Sequence, residues 1–112
     1  MRSRSRCADL AAAASLAAAV LLLLAPASAK DAASGREVFT EAAAPACSIC
    51  HALAAAGASG EIGPSLDALK PSADQVRRAV TEGPGNMPSY ADSLSDAQIE
   101  AVAKFVAESA GG

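Results

Sequence analysis

Tryptophan is absent from this 112-residue chain, and two phenylalanines and one tyrosine are its only aromatics. Many of the remaining apolar positions are alanines, which bury little area. A small domain of about 80 residues rarely gains more than about 3–5 kcal/mol from its own core and usually needs a disulfide, metal or cofactor as well. A basic surplus is also missing. Nine Lys and Arg stand against twelve Asp and Glu, a formal charge of −3. That balance argues against nucleic acid, which wants a basic face. Histidine occurs once, as His51, and cysteine three times. A zinc site built from cysteine and histidine would lack a second Cys pair or a second His. No segment alternates apolar and polar residues convincingly enough to read as a strand.

One long apolar stretch is present, Leu10 to Ala25, broken by Ser15. It is shorter than the ~20 residues that a spanning helix needs. Arg2, Arg4 and Arg6 precede it, and Ala27-Ser28-Ala29 follows with small residues ahead of Lys30. Together these read as a secretory signal over residues 1–29, cleaved before Lys30. Cys7 would leave with it. Residues 30–112 would remain as one small domain with six basic and eleven acidic residues, a formal charge of −5. The expected localisation is periplasmic, with no membrane span in the mature chain.

Within that domain, Cys47-Ser48-Ile49-Cys50-His51 carries the most chemistry. Residues at i, i+3 and i+4 share one face of a helical turn, so both thiols and the imidazole can address one ligand. In an exported chain this spacing suits covalent attachment of haem. A large apolar cofactor would also supply the missing core. A disulfide between Cys47 and Cys50 would close too small a loop to restrain the fold. A thiol-redox role would want a βαβ setting, which the pattern lacks.

Met87 is the only methionine after Met1 and lies in Gly83-Pro84-Gly85-Asn86-Met87-Pro88. The residue before a proline is pushed away from helical geometry, which suits a side chain presented from a loop. Histidine with methionine is an axial pair used for electron transfer, and the soft thioether raises the potential. His51 and Met87 are therefore the candidate iron ligands. In Gly63-Pro64-Ser65-Leu66 the Pro64 carbonyl is a candidate acceptor for the second ring nitrogen of His51.

Three helices are predicted around these motifs. The first runs from about Ser34, as N-cap, to the cysteines, with Val38, Phe39, Ala42 and Ala43 on adjoining faces. The second follows Ser72, with Gln75 completing a capping box and Val76, Ala79 and Val80 as its stripe. The third follows Ser95 with Gln98, striped by Ile99, Val102, Ala103, Phe105 and Val106. The expected fold is all-α, helices wrapped round one haem. Leu53, Ile62, Leu66, Pro88 and Tyr90 are expected on the haem wall. Arg77, Arg78, Ser89 and Tyr90 are candidate propionate contacts, with solvated surface the expected role of both arginines.

These residues, in this order, resemble a class I mono-haem bacterial cytochrome c over the whole of 30–112. The resemblance implies an all-α cytochrome c fold whose first and last helices cross near Gly35, Phe39 and Phe105. It implies one haem c held by thioether bonds from Cys47 and Cys50, with His51 and Met87 as axial ligands and the Pro64 carbonyl accepting from His51. The stretches 46–53, 60–64 and 67–71 are similar to the cytochrome subunit of bacterial sulfite dehydrogenases, in which a molybdenum subunit feeds the haem. The function implied is single-electron transfer between a dehydrogenase and a downstream oxidase or cytochrome, not catalysis. A haem enzyme or ligand sensor is the alternative and would need an open iron site. Residues 30–112 hold only three lysines, Lys30, Lys70 and Lys104. That is too few for the lysine ring with which better-known soluble cytochromes c dock.

Overall fold

In a computed structural model, residues 34–112 are described. The expected leader and Cys7 lie outside them. Among the described residues there are five helices, a two-residue antiparallel pairing and long connecting loops. None of the helices is long and apolar enough to cross a membrane.

Helix α1 is α-helical over residues 34–37 and π-type over Val38–Ala42. Ser34 is itself helical and therefore is not the cap. Nor does α1 reach the cysteines. The Ala43 N–H closes the last turn on the Val38 carbonyl, and Ala43 is extended. Pro45 follows through a cis peptide bond with Ala44, and the residue before a proline avoids helical geometry. The cysteines occupy their own single turn, α2 (Cys47–Cys50). After it, β1 (Ala52–Leu53) pairs with β2 (Ala58–Ser59) around a 3₁₀ turn at Ala54–Ala56. This pairing has no alternating pattern behind it. Helix α3 (Leu66–Leu69) is one turn, with the Ser65 side chain accepting from the Ala68 N–H.

The two longer helices begin where their caps predict. Ser72 and Gln75 form a complete capping box for α4 (Ala73–Glu82), as do Ser95 and Gln98 for α5 (Asp96–Ser109). Each box satisfies two N–H groups that a helix start leaves without partners. Helix α4 stops at Gly83, whose φ of 64° is left-handed. A Cβ there would also sit 2.4 Å from the Ser89 nitrogen, so glycine is required twice over.

Helices α1 and α5 cross closely. A Cβ on Gly35 would lie 2.2 Å from the Ala101 carbonyl oxygen and 2.5 Å from Phe105 Cβ. One turn on, Phe39 meets Phe105 edge to face, with ring centroids 6.2 Å apart at 64°. Ile99, Val102, Ala103, Phe105 and Val106 are all buried, so the α5 stripe is the central wall of the core. Arg77 joins α4 to α5 on the surface, bonding Glu100 and Asp74. These carboxylates hold the guanidinium above its ordinary pKa.

Gly35→Ala is expected to destabilise the protein by about 1–3 kcal/mol, because backbone cannot yield as a side-chain tip can. Thermal unfolding should show it as a fall of ~4–8 °C per kcal/mol.

Candidate functional site

Helices α2, α3, α4 and α5 and the 83–90 loop enclose an apolar cavity of about 470 Å³. That is within the range of small-molecule and cofactor sites. Cys47, Cys50, His51, Pro64 and Met87 all line it. The two cysteines are free thiols, and both are half-buried, as are His51 and Met87. Burial pushes the Cys47 thiol up to about 11, so it stays protonated near neutral pH.

Local folding explains how these groups meet. The α2 turn places Cys47 and Cys50 three residues apart, and the His51 N–H closes it on the Cys47 carbonyl at 3.0 Å. The next layer is the 60–64 segment. A Cβ on Gly60 would lie 2.6 Å from the Ile49 carbonyl oxygen, and one on Gly63 would lie 2.7 Å from Cε1 of His51. Without side chains, both glycines let the segment lie flat against the motif. Gly63 N–H donates to the Cys50 carbonyl at 2.7 Å. His51 Nδ1 then lies 2.7 Å from the Pro64 carbonyl oxygen. A carbonyl only accepts, so Nδ1 carries the proton and Nε2 is left with its lone pair free.

Met87 is held from below. Its N–H donates to the Pro84 carbonyl at 3.0 Å. Tyr90, 4% exposed, donates its hydroxyl to the Pro45 carbonyl at 2.7 Å. Burial raises its pKa, so it remains a donor. This bond ties the methionine loop to the approach to Cys47.

Of the expected wall residues, Ile62, Leu66, Pro88 and Tyr90 line the cavity. Leu53 does not. It is fully buried in the core behind the motif, because the β1 pairing turns the chain inward after His51. Sequence reasoning missed the part of the wall built from Phe39, Val76, Val80, Val102 and Val106. Their stripes were legible, but periodicity does not separate a face on a core from a face on a cavity. Leu69 offered a usable signal: like Ile62, it is a large apolar residue in turn-rich chain, and both line the cavity, 59% and 76% exposed. Neither arginine borders the cavity. Arg77 is committed to Glu100 and Asp74, and Arg78 is exposed. Ser89 donates to the Thr81 carbonyl. Gln75 and Asn86 are the amide side chains on the wall.

The donor set fits haem better than a lone metal ion. Among the described residues no three His, Cys, Asp or Glu gather to hold one. A largely apolar cavity with two thiols, one imidazole and one thioether matches a macrocycle that brings its own four nitrogens. Helices closed around such a cavity define an electron-transfer protein of the c-type cytochrome class. Residues 30–106 match the family described as cytochrome C oxidase, cbb3-type, subunit III, and the chain belongs to that cytochrome c family. With it comes a covalently bound haem c, for which Cys47 and Cys50 have the attachment spacing.

Among solved structures, the c-type cytochrome SorU from Sinorhizobium meliloti is 51% identical with a TM-score of 0.72. The match covers 74% of this chain and 94% of that one. Cytochrome c6 of Picosynechococcus sp. (strain ATCC 27264 / PCC 7002 / PR-6) is 36% identical over 100 residues, 76% of this chain and 79% of the relative. The menaquinol:cytochrome c reductase cytochrome c subunit of Bacillus subtilis (strain 168) is 38% identical over 78 residues, 68% of this chain. The match spans only 28% of that longer relative.

Gly63→Ala should drive the imidazole off its acceptor. The expected outcome in the holoprotein is faster solvent exchange of the His51 Nδ1 proton, followed by ¹⁵N NMR, with the haem still covalently attached.

Proposed function

We propose that this cytochrome is an exported, periplasmic electron carrier whose haem c iron is held by His51 and Met87. In this reading residues 1–29 are a cleaved signal and residues 30–112 the functional domain. The family match beginning at residue 30 supports that boundary. The observation that carries the proposal is the sharing of one cavity wall by Cys47, Cys50, His51 and Met87.

Each residue has a distinct task. Cys47 and Cys50 would hold the haem through thioether bonds. His51 presents Nε2, because Pro64 holds Nδ1, and a histidine that donates its second N–H is a more basic ligand. Met87 supplies a soft thioether, which favours the reduced state. Phe39, Val76, Val80, Val102 and Val106 exclude water. When bound, the haem supplies a one-electron ferric/ferrous couple. If His51 and Met87 both held the iron, no position there would be left for a substrate.

The proposed electron donor is a molybdenum-containing sulfite dehydrogenase, and the acceptor a downstream oxidase or cytochrome. The 51% identity with SorU and the likeness of stretches 46–53, 60–64 and 67–71 to sulfite dehydrogenase cytochrome subunits support this partner. A negative formal charge over 30–112 and only three lysines there fit a donor that docks without a lysine ring.

Two measurements test the proposal. Expressed with export and haem-attachment machinery, the protein should be red, and its haem should resist acid–acetone extraction. Cys47→Ser with Cys50→Ser should make the haem extractable. Met87→Ala should abolish the methionine-to-iron absorption band of the oxidised protein and lower the reduction potential. An unchanged band would sink Met87 as a ligand and favour an open-site haem protein instead.

A further inference from the structure

We propose that Asp67 is a positioning residue for His51, setting the geometry of the imidazole through the Pro64 carbonyl. The proposal rests on His51 being the axial ligand.

Asp67 lies in the first turn of α3, outside the cavity wall. Its two carboxylate oxygens have different partners. Oδ2 accepts from the Ala54 N–H at 2.8 Å, three residues beyond His51. Oδ1 accepts from the Gly111 N–H at 2.8 Å, just past α5. The first bond belongs to a series. Gly63 bonds Cys50, Pro64 bonds His51, and Asp67 bonds Ala54, each pair thirteen residues apart. Two chain segments therefore run alongside each other in fixed register. The imidazole-to-carbonyl bond sits between two pegs. Gly63 holds the register before Pro64, and Asp67 holds it after.

Other contacts do not replace this second peg. Leu66 is buried in the cavity wall and keeps the segment against the haem site. Apolar packing is non-directional, however, and does not fix register to the precision a hydrogen bond needs. The Ser65 side chain caps α3 and bonds nothing across the pair of segments. The Gly111 bond adds a third element, because it anchors the same carboxylate to the chain after α5. Hydrogen bonds from Gly111 and Ala54 hold the Asp67 carboxyl below its ordinary range, as expected when the ionised form is the acceptor.

The test uses the holoprotein with Asp67→Ala, Asp67→Asn and Ser95→Ala. Asp67→Ala removes both acceptors. Asp67→Asn keeps one acceptor oxygen and sets an NH2 donor against the other N–H, so one of the two bonds is lost. Ser95→Ala removes the α5 cap and lowers stability without touching the paired segments. The readouts are solvent exchange of the His51 Nδ1 proton in the reduced protein and the reduction potential. Exchange in Asp67→Ala should be about threefold to tenfold faster, the range set by one lost hydrogen bond. Its potential should rise, because a less firmly bonded imidazole is a poorer donor to ferric iron. Asp67→Asn should fall between Asp67→Ala and wild type, and Ser95→Ala should match wild type in both readouts. Exchange and potential equal to wild type in Asp67→Ala would overturn the proposal, whatever the loss of stability. The premise is read separately in the unsubstituted protein. If the ring-current-shifted protons of an iron-bound imidazole are missing there, the ligand reading and this proposal fall together. If they are present, an unmoved Asp67→Ala removes only the positioning role.

Discussion

The chain packs its few large apolar side chains around a cavity, and that constraint organises everything else. Phe39, Val76, Val80, Val102 and Val106 are at once buried core and cavity wall. Each helix stripe therefore serves two surfaces, its neighbours on one side and the cofactor on the other. Alanine-rich helices with three aromatics in 79 described residues could not close a solid core at native density. Around a macrocycle they need only form a shell.

A shell so thin requires close backbone approach, and glycine supplies it at four points. Gly35 lets α1 reach α5, Gly60 and Gly63 let the histidine's partner segment lie on the motif, and Gly83 lets α4 meet the methionine loop. At each of these positions a Cβ would strike a carbonyl, another backbone atom or the imidazole. The separation between the two sides of the site is thus set by backbone contacts. Tyr90 adds a direct tie, bonding the Pro45 carbonyl across 45 residues of sequence.

What was legible in the sequence follows from how local its cause is. The capping boxes at Ser72 and Ser95 are four-residue signals, and both helices begin there. The five-residue motif carries its chemistry in its spacing. The crossing of α1 with α5 followed from family resemblance, since no local pattern encodes it. Features with long-range causes were lost. Pro45 marks the end of α1, but the sequence does not say that the cysteines then form a separate turn. Leu53 lies next to the motif in sequence yet faces away from the cavity, because a two-residue strand pairing turns it inward. The α3 turn rests on a single Ser65 cap in chain that otherwise reads as loop.

The same division explains why cofactor chemistry is easier to read than partner choice. Covalent attachment and axial ligation each need specific atoms at specific spacings, so they leave a signature of a few residues. Docking needs only complementary charge and shape over a patch, which many sequences can meet. In this chain the surface features are dispersed. Arg77 is engaged with Glu100 and Asp74, and the Lys70 side chain packs along Gly111. The negative formal charge then acts mainly on encounter rate with a partner of opposite sign, an effect that added salt weakens. The electron itself makes a different demand: a site that changes little between two oxidation states. Groups already fixed in place need no reorganisation when charge arrives. The paired segments at 50–54 and 63–67, together with the Tyr90 tie, fix the backbone that carries His51 and Met87 from the protein side, which would limit how far a change of charge at the site could move them.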